Sequence, residues 1–450
     1  MKPSDSPIGA APFTRRSFLK STSAAAGGAA LLSTLAPERF ALGASPGDTL
    51  KVALVGCGGR GSGAADQALR TEGGTKLVAV ADAFKDRLDG SLKALKQNHA
   101  DKVQVPEENQ FVGFDGYKKA IALADVVILA TPPGFRPMMF EEAIRQGKHV
   151  FMEKPVAVDG PGVRKVLAAA EEAKRKNLKV GVGLQRHHQT GYIETIKRIH
   201  AGEIGDIVSM RCYWNGSTPW VRPRKELAAK LGRPPTEMEY QMHNWYYFVW
   251  LCGDHIAEQH IHNLDVMNWV KQAPPVRCVG MGGCEVRKGQ DYGEIFDHHA
   301  VEFEYADGTR MFSQCRHILN CWNNVSEHVV GTKGSCDVSG HIIRGEKPWR
   351  FRSDAANRPK DPYQQEHDDL FDAIRRDKPF NEAVYGATSS LTAVMGRMAT
   401  YSGKVIDYDA ALNSSIDTMP KNLAWDAMPL VKPGPDGMYP RAVPGKTEVL

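Results

Sequence analysis

Eight cysteines are scattered through the chain without one C-x-x-C pair or zinc-ribbon spacing, so neither a dithiol redox motif nor a structural zinc site is written in the sequence. Cys57, Cys212, Cys252, Cys278, Cys284, Cys315, Cys321 and Cys336 read instead as small apolar residues of a chain that folds in a reducing compartment. A strong charge imbalance is also missing. Lys and Arg number 57 against 52 Asp and Glu, a formal +5, and no basic stripe is interleaved with aromatics, so no nucleic-acid partner is expected. No apolar run reaches the roughly 20 residues that span a bilayer, so no stable membrane insertion is expected. No internal repeat marks a solenoid. What is present is 450 residues, 42% hydrophobic and 24% charged, a globular composition long enough for two domains with cores.

The N-terminal stretch TRRSFLKSTSAAAGGAALLSTLA places Arg15 and Arg16 ahead of Phe18, Leu19 and Lys20, followed by an Ala/Gly-rich run to about Ala36. It resembles a twin-arginine export signal, residues 1–44, removed between Ala41 and Ala44. The expected location is therefore periplasmic or otherwise exported. Cargo of that route crosses folded, often with its cofactor inside.

From Leu50, short apolar runs (KVALVG, KLVAVAD, ADVVILATPP, KHVFMEKP, LKVGVGLQ) alternate with amphipathic stretches such as PGVRKVLAAAEEAKRKN. That alternation predicts a parallel sheet covered by helices, a dinucleotide-binding domain over 45–186. After Gln185 the pattern lengthens to DIVSMRCYW, RCVGMGGCEV and HAVEFEYADGTRMFSQCRH, the last a hairpin turning at Asp307-Gly308. The fold class is thus α/β, with a Rossmann-type parallel sheet first. A substrate-binding α+β domain with an open, mostly antiparallel sheet follows over 187–450, and Lys432 to Pro444 reads as a tail or loop.

GCGGRG directly follows the first strand. In a dinucleotide fold Gly56 permits the tight turn, Gly58 lets the backbone approach a pyrophosphate, and Gly61 allows close helix packing, with the helix N-terminus facing the phosphates. Asp82 closes the next strand, where a carboxylate suits a ribose 2′-hydroxyl and favours NAD. Lys85 and Arg87 just beyond it keep NADP open. Further on, GDHIAEQHIHNLD crowds His255, Glu258, His260, His262 and Asp265 into one segment. If it is helical, Glu258 and His262 share a face while His260 points elsewhere. No metal is assigned on that geometry, although His255, Glu258, His260 and His262 remain the alternative set of ligands.

The Gly-rich turn, ATPP at Ala130 to Pro133, MEKPV at Met152 to Val156 and the Glu-x-x-x-His of EQHIHNLD together resemble the Gfo/Idh/MocA oxidoreductase family, from about Lys51 to Ala411. The resemblance implies that Lys154 points into the cleft beside the nicotinamide and that His262 is the acid or base at the reacting hydroxyl. Glu258 would orient a substrate hydroxyl or the imidazole. The cofactor set is then Gly56, Gly58, Gly59, Arg60, Gly61, Asp82, Thr131, Pro132, Glu153 and Lys154, for tightly bound NAD. Arg136, where many relatives carry histidine, joins Gln185, Arg186, His187, His260 and Asp265 as the expected substrate set; Gln185 to His187 would emerge at the carboxyl end of the last parallel strand. Trp214, Trp220, Trp245, Tyr246 and Tyr247 suit a hydrophobic core or a sugar platform. The expected activity is nicotinamide-dependent hydride transfer at a sugar, glycoside or cyclitol hydroxyl, by a homo-oligomer. An NAD-dependent glycosidase working by transient oxidation is the alternative, followed by a non-catalytic sugar-binding protein.

Overall fold

The computed structural model describes residues 48–353 and 358–450; the twin-arginine segment and the boundary at residue 44 lie outside them. Six strands, β1 (Leu50–Val55), β2 (Thr75–Asp82), β3 (Gln110–Val112), β4 (Val126–Leu129), β5 (His149–Met152) and β6 (Val180–Val182), form a parallel sheet in the order β3-β2-β1-β4-β5-β6. The order reverses between β1 and β4, and their carboxyl ends flank the crevice where such sheets bind ligands. The central strands are apolar on both faces because helices cover both. Val52 and Leu54 pack on one side and Ala53 and Val55 on the other, in two separate clusters.

Part of one cover comes from far along the chain. The helix Pro362–Arg375 inserts Leu370, Phe371 and Ile374 into the cluster built on β1, β2 and the helix Gly59–Arg70. The parallel half is therefore not continuous in sequence. Its short apolar segments could be read locally, whereas this return crossing depends on a contact between residues some 300 positions apart.

Nine further strands make the second sheet: β7 (Ile207–Gly216), β8 (Arg277–Gly283), β9 (His298–Glu304), β10 (Arg310–His317), β11 (Asn324–Gly331), β12 (Gly334–Asp337), β13 (Ile342–Gly345), β14 (Trp349–Arg350) and β15 (Ile406–Asp407). Their order is β14-β13-β12-β11-β7-β10-β9-β8-β15, with β7 and β10 paired in parallel and the other pairs antiparallel. The predicted hairpin is β9-β10, and Gly308 supplies the left-handed φ of +83° that its turn requires. Alternation sets its faces: Met311, Ser313 and Cys315 point inward while Arg310, Phe312 and Gln314 stay exposed. The inner face packs on the 20-residue helix Ala383–Ser402, which also contacts the helix Gly160–Arg175 of the parallel half.

The C-terminal stretch from Ser414 has no helix or strand, but it is fastened along its length. Asp159 accepts from the Thr418 amide and hydroxyl, Gln241 donates to the Val431 carbonyl, and Arg224 donates to the Tyr439 hydroxyl. The tail expected over Lys432 to Pro444 is a strap rather than a loose end. Six of the eight cysteines are buried, with Cys284 half-buried and Cys321 exposed. Among the described residues no helix is long and apolar enough to cross a membrane.

Candidate active site

The Gly-rich turn borders the cleft. Gly56 has a φ of +98°, and a side chain at Gly61 would place its Cβ 1.9 Å from the Gly56 carbonyl oxygen, so both positions exclude larger residues. At Gly58 and Gly59 the opposite holds: nothing lies within 4 Å of an added Cβ, and Gly58 caps the helix Gly59–Arg70 without a side-chain acceptor. An open cradle over uncapped amides suits a pyrophosphate. Asp82 accepts from the Cys57 amide at 2.6 Å and the Phe84 amide at 2.8 Å, which ties the end of β2 to the turn. Burial raises its pKa above the ordinary aspartate value. Its oxygens keep lone pairs toward the cleft for a ribose diol.

The cavity that begins here has a volume of about 570 Å³ and is shared by the two halves. All ten residues expected to hold the cofactor border it. Arg60 crosses it to reach Glu153 Oε1 at 2.5 Å and Glu366 Oε1 at 3.1 Å. Glu366, on the returning helix, had no local signal in the sequence. Burial next to Glu153 raises its pKa well above the ordinary glutamate value, and Arg60 is the cation that holds these two carboxylates together.

On the far wall the EQHIHNLD segment is not one helix. A short helix, His255–Glu258, ends at Gln259 and a second, Ile261–Lys271, starts after His260. Glu258, Gln259 and His262 all border the cavity with Lys154. The Lys154 ammonium donates to the Glu258 carbonyl and lies 3.4 Å from Glu258 Oε1. Burial raises the Glu258 carboxyl and the Lys154 charge partly offsets that. His262 is held well below its ordinary pKa by burial first and then by the charges of Lys154, Arg186 and Arg60. It is thus a neutral imidazole at neutral pH. Its Nδ1 is sealed from solvent with no partner, which leaves Nε2 as the nitrogen facing the cavity. Trp214 lies over the ring, with centroids 5.9 Å apart.

Several residues expected at the substrate stand elsewhere. His260 is fully buried against Ser313 Oγ (2.7 Å), Asn263 and Cys212, and burial lowers its pKa to about 3. The helix break turns it into the core under β7 and β10. Arg186 pairs with the buried Glu327, which also accepts from Tyr192 and Asn263. His187 bonds Asp265 at 2.8 Å and is sandwiched between Trp269 and Tyr385, while Asp265 also accepts from Ser389. Gln185 donates to the Tyr363 hydroxyl. These groups brace the wall behind the site, because the chain turns into a short helix, Gln185–His188, as soon as it leaves β6. Arg136 does border the cavity, but its guanidinium donates to the carbonyls of Leu129 (2.5 Å) and Thr131 (2.9 Å). Burial lowers its pKa to about 10.

The four residues of the alternative ligand set, His255, Glu258, His260 and His262, separate in the same way. Glu258 and His262 face the cavity, His260 the core, and His255 turns to Asp254. Among the described residues, Asp254, His255 and His299 do offer ligand atoms within 4.8 Å of one another. Both Asp254 oxygens are already engaged by hydrogen-bond donors, however: the His255 amide and Nδ1, the Phe296 amide and the Tyr401 hydroxyl. Trp214, Trp220 and Trp245 border the cavity, whereas Tyr247 is buried beside them.

Comparison with known proteins places this geometry. Residues 50–183 match the model of the oxidoreductase family with an NAD-binding Rossmann fold, and residues 192–337 match the Gfo/Idh/MocA C-terminal domain. The chain belongs to the Gfo/Idh/MocA oxidoreductases. It is an oxidoreductase whose cofactor is NAD. It is 24% identical over 289 residues to scyllo-inositol 2-dehydrogenase (NAD(+)) of Bacillus subtilis, covering 64% of this chain and 72% of that one. It is 29% identical over 290 residues to inositol 2-dehydrogenase of Burkholderia lata, covering 64% and 73%. The fold is similar to that of aldose-aldose oxidoreductase from Caulobacter crescentus, with a TM-score of 0.62 at 19% identity, over 80% of this chain and all of that one. It is also similar to scyllo-inositol dehydrogenase from Lactobacillus casei, solved with NAD(H) and scyllo-inositol, with a TM-score of 0.58 at 20% identity, again over 80% and 100%.

Proposed function

We propose that this protein oxidises a secondary hydroxyl of a cyclitol or related sugar with NAD. The observation that carries the proposal is the convergence of Lys154, Glu258 and His262 on one cavity that continues into the Gly-rich cradle. The cyclitol assignment is supported by the inositol dehydrogenases among the relatives.

Bound NAD supplies the hydride acceptor. The chain's own residues manage the proton. Neutral His262 takes it from the reacting hydroxyl at Nε2, the ring nitrogen open to the cavity. Lys154 donates a hydrogen bond to the same oxygen, which stabilises the negative charge that builds there as the proton leaves for His262, before the hydride departs. Glu258, at the end of the helix before the one that carries His262 and 3.4 Å from the Lys154 ammonium, balances that charge and can accept from a neighbouring hydroxyl. Trp214 and Trp220 supply apolar faces for the ring carbons.

The test is single-turnover formation of NADH by the NAD-loaded protein with a panel of inositols, aldoses and glycosides. NADH from inositols or free sugars is the expected result. Free sugar released from glycosides without net NADH would establish the glycosidase alternative, and binding without either product would leave a sugar-binding protein. The proposal includes export by the twin-arginine route. Replacing Arg15 and Arg16 with lysines should leave folded protein in the cytoplasm, and unchanged export would remove that part.

A further inference from the structure

Gln259 sits in the break between the two short helices, beside Glu258 and three residues before His262, and borders the same cavity. Its amide oxygen lies 2.6 Å from His317 Nε2. His317 Nδ1 in turn lies 2.6 Å from a guanidinium nitrogen of Arg287. Both His317 and Arg287 are 1% exposed.

The direction of every bond in this chain follows from one fact. A guanidinium can only donate. His317 Nδ1 therefore accepts, and the ring is neutral, since burial, His255 and Arg287 all hold its pKa well below the ordinary value. Its one proton resides on Nε2 and is donated to Gln259 Oε1. That fixes which way the amide faces, because a flipped amide would set two N–H donors against each other. The Gln259 oxygen is spent on the protein, and its NH₂ group bonds no described residue and is not sealed from solvent.

We infer that Gln259 is a specificity-determining residue that presents a fixed donor to an oxygen of the substrate, next to the acceptor Glu258. This rests on the oxidation of a polyol proposed above. The wall then offers a set pattern, one carboxylate to accept and one amide to donate. A polyol meets it only if two of its oxygens stand at the right places on the ring. Arg287 and His317 act through Gln259 as positioning residues, because without them the amide is free to turn its oxygen to the cavity.

The experiment uses the NAD-loaded protein with myo-inositol, its epimers and its monodeoxy analogues, measuring kcat and KM for each. Gln259→Leu removes the donor, and Gln259→Glu keeps the acceptor for His317 but offers the cavity a carboxylate. Both should raise KM for the best substrate about tenfold, the scale of one or two lost hydrogen bonds, with kcat changed by less than about threefold. The monodeoxy analogue that lacks the contacted oxygen should show the same KM with wild type and Gln259→Leu, a coupling that general loosening of the site would not produce. His317→Phe should give a smaller rise in KM than Gln259→Leu. Wild-type KM in both Gln259 variants, or an equal loss for every deoxy analogue, would overturn the inference while the functional proposal stands. Failure of the wild type to oxidise any polyol would overturn both.

Discussion

Lys154→Met and His262→Ala should each slow hydride transfer by about 100-fold or more, the loss that follows when acid/base help is removed, while NAD still binds. The two side chains are assigned to one substrate oxygen, Lys154 donating a hydrogen bond to it and His262 accepting its proton. The double variant should therefore lose much less than the product of the single losses. Single-turnover NADH formation measures the effect, and NAD titration checks that the cradle is intact. Full activity in either single variant would remove the proposed mechanism.

The pH profile gives a second reading of the same pair. Neutral His262 is the active form, and burial and neighbouring cations hold its pKa well below 6.5. The plateau of kcat/KM should thus persist as pH falls through that value and decline only below it. Lys154→Met deletes one of those cations, so its residual activity should start to fall at a higher pH than the wild type. Glu258, no longer pulled down by Lys154, moves the same way.

The largest effect on stability is expected from Asp254→Ala. Asp254 is fully buried, and its carboxylate accepts from the His255 amide (2.5 Å) and Nδ1 (2.9 Å), the Phe296 amide (3.0 Å) and the Tyr401 hydroxyl (2.6 Å). His299 Nε2 lies 3.3 Å away. Removing such a hub strands several buried donors, for a loss of about 3–5 kcal/mol. The backbone there has a φ of +71°, which a side chain other than glycine adopts only when its surroundings impose it.

Denaturant unfolding at neutral pH measures the difference. Asp254 is depressed well below 3.8, so its contribution is complete above the unfolded pKa and is lost only as pH falls through the lower folded value. His255 and His149, held neutral near a pKa of about 4, work in a different window. The unfolded chain binds their protons first, so stability falls as pH drops below about 6.5. A difference below about 1 kcal/mol for Asp254→Ala at pH 7 would show that the hub is replaceable.

How much of this was legible in advance depends on how local each cause is. β1 with the Gly-rich turn, Asp82 at the end of β2 and the β9-β10 hairpin are each set by a few neighbouring residues, through strand alternation and the left-handed turns that glycine permits. Local pattern in the sequence therefore determined the two-sheet fold class and the cradle, while the resemblance of its motifs to the Gfo/Idh/MocA family, rather than any local cause, pointed to Lys154, Glu258 and His262 as cleft residues. Periodicity also separated His260 from its neighbours, but it could not say what His260 would face.

That was decided by tertiary structure. A break at Gln259 sends His260 into the core, and Glu327 on β11 draws Arg186 away from the cavity. Glu366 reaches Arg60 from 306 residues away, and Arg287, in the loop after β8, orients Gln259 through His317 at the end of β10. A buried charge or amide must find its partner wherever the fold brings one, and sequence distance carries no trace of that requirement. The residues that shape this site most firmly from behind are therefore the ones its sequence could not announce.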